Sequence, residues 1–247
     1  ERVYTIVYVD MLLALLTAYL IFTALHTDRL DQGDLISLCL GAGTLTLVKE
    51  TGLAMLGFAL VVILVVWLTR DGRPKNRAAW MRLLAVPVAM LLFGLLLRQS
   101  WVMYRTLYGN PNAWVMPGIS PEEGLADLLE ELGDADSPYT QCLHNFCKLL
   151  FGSKRYYLWG AGIGTVYFYW GKRSGRKKPA IAAAVALWVG FGIYAAYLLY
   201  LYLYSGFGAD PNLPSMERYL YTYLAMGWFS GCLLYTSPSP RDGLLSR

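Results

Sequence analysis

The chain has 247 residues, of which 56% are hydrophobic and only 15% charged, and its 21 Lys and Arg against 17 Asp and Glu leave a net charge of +4. With a mean hydropathy of +0.40, this composition excludes an ordinary soluble domain, which would expose large apolar faces to water. Four Cys without regular spacing exclude a disulfide framework, and 19 Tyr with 8 Trp suit a protein with much surface at the boundary of lipid and water.

The expected fold class is therefore all-α, a polytopic helical integral membrane protein. A helix rises about 1.5 Å per residue, so crossing about 30 Å of hydrocarbon takes about 20 mostly apolar residues. The first span is predicted over 3–25 and carries one charge, Asp10. The next apolar stretch, 35–69, is interrupted by Lys49, Glu50, Thr51 and Gly52. As one helix it would be about 50 Å long, so it is predicted to turn back there, giving a short span at 35–48 and a fuller one at 53–69. Further spans are predicted at 81–97, 156–171 and 179–204, with another starting near Arg218, which makes about seven crossings.

These spans divide the chain into membrane helices at 1–98, a loop at 99–155 and membrane helices at 156–231. The loop opens with WVMYRTLYGNPNAWVMPG, whose aromatics, Gly and Pro predict an irregular segment on the membrane surface. A helix is then predicted from Ser120, with Pro121 in its first turn and Glu122 and Glu123 favouring its N-terminus. A second amphipathic helix is predicted over 139–151, of the kind that lies in the interface.

Basic residues set the expected orientation. Arg70, Arg73, Lys75, Arg77 and Arg82 cluster in one connection, and Lys172, Arg173, Arg176, Lys177 and Lys178 in another. By the positive-inside bias both are cytoplasmic. Alternation then puts 99–155, Lys49-Glu50 and 205–218 outside a cell's inner, cytoplasmic membrane, and 26–34 inside.

Both ends are expected to be cut, since an apolar run begins within a few residues of Glu1. The stretch 232–242 resembles translated sequencing-adapter read-through, and 232–247 is set aside as a non-native tail.

Five polar residues converge on the outer face by this topology. Asp10 is an ionisable group inside an apolar span, costly unless it faces a cavity or a partner. Lys49 and Glu50 are neighbours that a helix would point apart, so each needs another partner. Lys49 has the compact cation that suits a phosphate, and Glu50 the carboxylate to orient it or a sugar hydroxyl. Glu217 and Arg218 begin the last span, where Arg218 suits a lipid phosphate and Tyr219, Tyr221 and Tyr223 suit an aromatic belt.

Other signals carry less. Gly160, Gly162 and Gly164 lack the strand of a dinucleotide loop, and the Gly160/Gly164 spacing fits close helix packing. Cys142, His144 and Cys147 lack a second ligand cluster, so no metal site is assigned. No cofactor motif is present, a divalent metal is not indicated, and the two basic loops read as topology signals rather than a nucleic-acid surface.

The segments YVDMLLALLTAYLIF around Asp10, LTLVKETGLAMLGFALVVIL around Lys49 and the late ERYL resemble the multi-span glycosyltransferases of GT-C type, which use polyprenyl-phosphate sugars. The resemblance implies transfer of a sugar from an undecaprenyl or related lipid phosphate to a glycan, lipid or protein acceptor at the outer face. It also implies a catalytic acidic residue in an outer loop upstream of Glu1, with Lys49 and Arg218 on the phosphate and Asp10, Glu50 and Glu217 as further substrate-binding candidates. A transporter or flippase, and a non-catalytic assembly subunit, are the other classes the composition allows.

Overall fold

A computed structural model describes residues 2–26, 31–49, 51–71, 74–108, 134, 136–204 and 210–236. Among these residues the chain forms eight helices and no strand. They are α1 (Arg2–His26), α2 (Gln32–Val48), α3 (Gly52–Asp71), α4 (Arg77–Tyr108), α5 (Pro138–Gly152), α6 (Lys154–Ser174), α7 (Lys177–Tyr204) and α8 (Met216–Thr236).

Local chemistry explains the boundaries. Asp31 caps α2 by accepting from the Asp34 amide at 2.7 Å, while the Asp34 carboxylate accepts from the Asp31 amide at 3.2 Å, a reciprocal capping box. Asn76 accepts from the Ala79 amide at 2.9 Å to start α4. Ser137 caps α5, with Pro138 in the first turn. Gly175, at φ 76°, ends α6 in the left-handed region open to glycine.

The predicted seven stretches are all helical, but four helices are both long and apolar enough to cross a membrane: Val9–His26, Gly52–Arg70, Arg77–Tyr108 and Lys177–Leu203. The other three fall short for identifiable reasons. Helix α2 has 17 residues, and α6 and α8 carry basic or acidic termini and many Tyr and Trp, which lower apolarity without forbidding contact with lipid. Helix α4 also runs on to Tyr108, past the predicted end at 97. Residues 99–108 are thus helical rather than irregular, because no Gly or Pro intervenes before Gly109. Trp101, Tyr104 and Tyr108 follow one another on a single face, with ring centroids 5.7 and 5.3 Å apart. The second loop helix is α5, close to its predicted range, while the one predicted from Ser120 lies outside the described residues. Helix α8 continues through Cys232 to Thr236.

Helix α1 is the hub, packed most extensively on α8 and also against α2 and α3. Ala14, Ala18, Ile21 and Leu25 give it a buried stripe at helical spacing, in which small side chains permit close approach. Helix α2 packs on α4, α3 on α7, and α6 on both α7 and α8. Polar links cross these seams, where no water competes for them. Thr46 Oγ1 lies 3.0 Å from the Gly94 carbonyl, Tyr223 donates to Leu187 O at 3.0 Å, and the Tyr167 and Ser230 hydroxyls are 2.6 Å apart. The outward faces are apolar: Ile36, Leu92, Leu96, Val189 and Ile193 are all exposed, as suits contact with lipid.

Two ends of the bundle can be distinguished. At one, Trp67 donates to Ala24 O at 3.3 Å and Arg176 to Leu25 O at 2.7 Å, so the ends of α1 and α3 and the α6–α7 connection lie together. At the other lie the α2–α3 turn and the start of α8.

Candidate functional site

Three elements deliver three charges to that second end. Asp10 sits in the N-terminal half of α1. Helix α2 stops at Val48, and Lys49 turns the chain with extended backbone, φ −160° and ψ 158°. The turn closes by a 2.8 Å hydrogen bond from the Gly52 amide to the Lys49 carbonyl. Gly52 is required here by close approach, because a Cβ would stand 1.9 Å from the Leu45 carbonyl oxygen. Lys49 is thereby released from the helix and held beside α1.

Arg218 is placed by the turn before α8. There Leu213 and Ser215 adopt positive φ, 48° and 67°, a conformation that costs a side-chain-bearing residue about 1 kcal/mol or more. The turn is held from outside itself. Asn145 of α5 donates to Pro211 O at 2.9 Å and the Tyr202 hydroxyl of α7 donates to Pro214 O, while within the turn Asp210 accepts from the Asn212 amide at 2.9 Å. Arg218 follows in the first turn of α8.

These residues form a charged triad. Lys49 Nζ lies 2.8 Å from Asp10 Oδ1, and Arg218 Nε lies 2.9 Å from Asp10 Oδ2. The Asp10 side chain is 5% exposed, those of Lys49 and Arg218 27% and 31%. The two contacts differ in kind. Lys49 donates a hydrogen bond, whereas Arg218 Nε and Asp10 Oδ2 are close but not aligned for one, and both atoms lack a hydrogen-bond partner. Arg218 Nη2 instead donates to the Tyr219 hydroxyl at 3.3 Å. The Tyr219 ring also lies under both cations, 4.5 Å from Lys49 Nζ and 5.0 Å from Arg218 Cζ, within cation–π range. One carboxylate and two cations leave the cluster with one formal positive charge in excess, borne by groups that still reach the exterior.

Of the five sequence candidates, Asp10, Lys49 and Arg218 come together. Glu217 is exposed and outside the triad, within electrostatic range of the Tyr156 hydroxyl on α6. Glu50 lies outside the described residues, and the carboxylate that holds Lys49 is Asp10. Tyr219 was expected only as part of a belt; its role as a platform for both cations had one sequence signal, its position directly after Arg218.

An open groove of about 590 Å³ is lined by Met11 of α1, the residue after Asp10, with Leu158 and Trp159 of α6, and Ala225, Trp228 and Phe229 of α8. Arg218 and Ala225 are seven residues apart, so they share a face of α8 about 10 Å apart along its axis. The groove's α8 lining therefore starts about 10 Å along the helix from Arg218. Trp159 meets Trp228 edge-on, with ring centroids 5.8 Å apart.

The glycines of α6 serve packing in a different pairing from the one expected. A Cβ on Gly160 would stand 1.9 Å from the Trp188 ring and one on Gly162 2.5 Å from the Trp228 ring, whereas Gly164 faces open space. Gly160 and Gly162 thus admit two large rings from α7 and α8.

The cysteines of α5 point apart: Cys142 is buried and Cys147 exposed, as is His144. Burial pushes the Cys142 thiol up to about 11, with the Asp210 carboxylate adding to the effect. It is held as a neutral thiol, the form unsuited to metal ligation or nucleophilic attack.

Compared with protein-family profiles, curated proteins and solved structures, the chain matches none.

Proposed function

We propose that this chain belongs to a membrane glycosyltransferase that holds a polyprenyl-phosphate sugar at the extracytoplasmic face of the cytoplasmic membrane. The phosphate rests against Lys49 and Arg218, and the prenyl chain descends along the groove between α1, α6 and α8. The observation that carries this reading is the triad: two partly exposed cations on one buried carboxylate, with positive charge in excess, and an apolar groove lined in part by the next residue of α1 and by α8 further along from Arg218. A phosphate supplies the missing negative charge, and Arg218 has donors left to offer it.

In the transfer, an acceptor hydroxyl attacks the anomeric carbon, and the bond from that carbon to the phosphate oxygen breaks. The electron pair and developing charge pass to the phosphate, where Lys49 and Arg218 stabilise them. The hydroxyl proton goes to a carboxylate base. Asp10, with both oxygens against cations, positions those cations.

Binding of a polyprenyl-phosphate sugar to the protein in nanodiscs tests the reading. Charge-assisted contacts contribute about 1.5–3 kcal/mol each, so Lys49→Ala and Arg218→Ala are each expected to raise Kd by about 10- to 100-fold. Unchanged Kd in both folded variants would overturn it.

A further inference from the structure

The triad contains more than a phosphate site requires. Two cations alone would attract phosphate more strongly; a carboxylate between them removes half of that charge. Asp10 is also not an accidental neighbour. Its side chain is 5% exposed, and its two oxygens are divided between the two cations. Its helix is packed on both α2 and α8, which carry them to it.

We infer that Asp10 is the specificity-determining residue of this site: it sets the cluster at one positive charge and so selects lipid-linked phosphodiesters over phosphomonoesters and diphosphates. The inference rests on the phosphate reading above. A phosphodiester carries one negative charge and brings the cluster to neutrality. A phosphomonoester carries about −1.5 to −2 at neutral pH and a diphosphate ester more, leaving unbalanced negative charge beside Asp10. The Asp10 carboxylate is only 5% exposed, so its repulsion of a second phosphate charge is poorly screened, which disfavours entry of a dianion and favours release of the phosphomonoester formed in the transfer.

Asp10 is the carboxylate in contact with both cations, while Asp210 acts with Arg218 on the Tyr202 hydroxyl. Tyr194 on α7 lies within electrostatic range of Asp10, and Tyr219 on α8 lies under Lys49. Glu217 is exposed and acts on Tyr156 together with Arg155 on α6. Arg98 on α4 is already engaged in an interaction of its own. Glu50, next to Lys49 in sequence, is a further carboxylate for which the test must control.

The experiment measures Kd for three probes of equal prenyl length, with the protein in nanodiscs of zwitterionic lipid at pH 8. They are a methyl polyprenyl phosphodiester, the polyprenyl phosphomonoester and the polyprenyl diphosphate; the methyl ester removes any contribution from a sugar. The wild-type protein is expected to bind the phosphodiester at least tenfold more tightly than the diphosphate. Asp10→Asn, which keeps the shape and removes the charge, is expected to abolish or reverse that order. Glu50→Gln and Glu217→Gln, which make the same charge change elsewhere, are expected to preserve it.

Equal or tighter binding of the diphosphate by the wild type overturns the inference while leaving the phosphate site standing. So does an unchanged order in folded Asp10→Asn, or a reversal in Glu50→Gln. Failure of all three probes to bind overturns the phosphate reading itself. Should Asp10→Asn not fold, the wild-type order still decides.

Discussion

Asp10 stabilises the bundle as well as arranging its charges. Removing one partner of a buried ion cluster leaves the others uncompensated, which costs about 3–5 kcal/mol in a fully enclosed setting. Lys49 and Arg218 each retain a route to solvent, which places the effect at the lower end. Asp10→Ala is expected to lower unfolding stability in detergent by about 3 kcal/mol, read as an earlier thermal transition; an unchanged transition would show that the cluster contributes nothing to packing. A second residue-scale expectation concerns α5. Because the thiolate is the reactive form and burial holds Cys142 up to about 11, a variant retaining only Cys142 should resist maleimide at pH 8, and its labelling should climb with pH well beyond 9. A variant retaining only exposed Cys147 should label readily at pH 8. Equal rates at pH 8 would contradict the burial of Cys142.

At the scale of elements, the seams between helices are set by what a small residue admits. Gly160 has the Trp188 ring where a Cβ would be, while Gly164, one turn on, faces nothing. Gly160→Ala is therefore expected to cost about 1–3 kcal/mol through overpacking. Gly164→Ala should be neutral or slightly stabilising, since alanine is the better helix former. Unfolding of the two variants side by side checks this, and equal effects would remove the proposed α6–α7 contact. The turns at 49–52 and 210–215 serve the site differently. The first releases Lys49 because Gly52 lets α3 start against the Leu45 carbonyl. The second aims Arg218 through a strained backbone held by α5 and α7. Sequence showed that the chain turned near Lys49, since a continuous helix would be too long for a bilayer, but gave no sign of the props under the second turn.

For the whole molecule, the positive-inside bias and the observed ends make one testable statement. The α6–α7 connection lies at the end of α1 opposite the triad, and the basic loops predict that end to be cytoplasmic. In an otherwise Cys-free background, Cys147 on α5 should react with a membrane-impermeant maleimide on intact cells. A cysteine introduced by Lys172→Cys should react only after permeabilisation. The reverse pattern would invert the topology and move the triad to the cytoplasmic face.

Apolar run length and charged interruptions by themselves determined that this chain is helical and where most helices start and stop, because those effects act within a short stretch of chain. They also singled out Asp10, Lys49, Glu50, Glu217 and Arg218 as candidates, since charge in or beside an apolar helix needs a reason. Only the tertiary structure decided that these three meet on one carboxylate, that Tyr219 lies beneath both cations, that Glu217 stands aside, and that Gly160 pairs with Gly162 rather than Gly164 in admitting neighbouring rings. Asp10 and Lys49 are 39 residues apart in the chain, and Arg218 is at the far end of it. Their convergence depends on which helices pack together and at what rotation, which is fixed by side-chain volumes across several seams at once and is not encoded in any single segment.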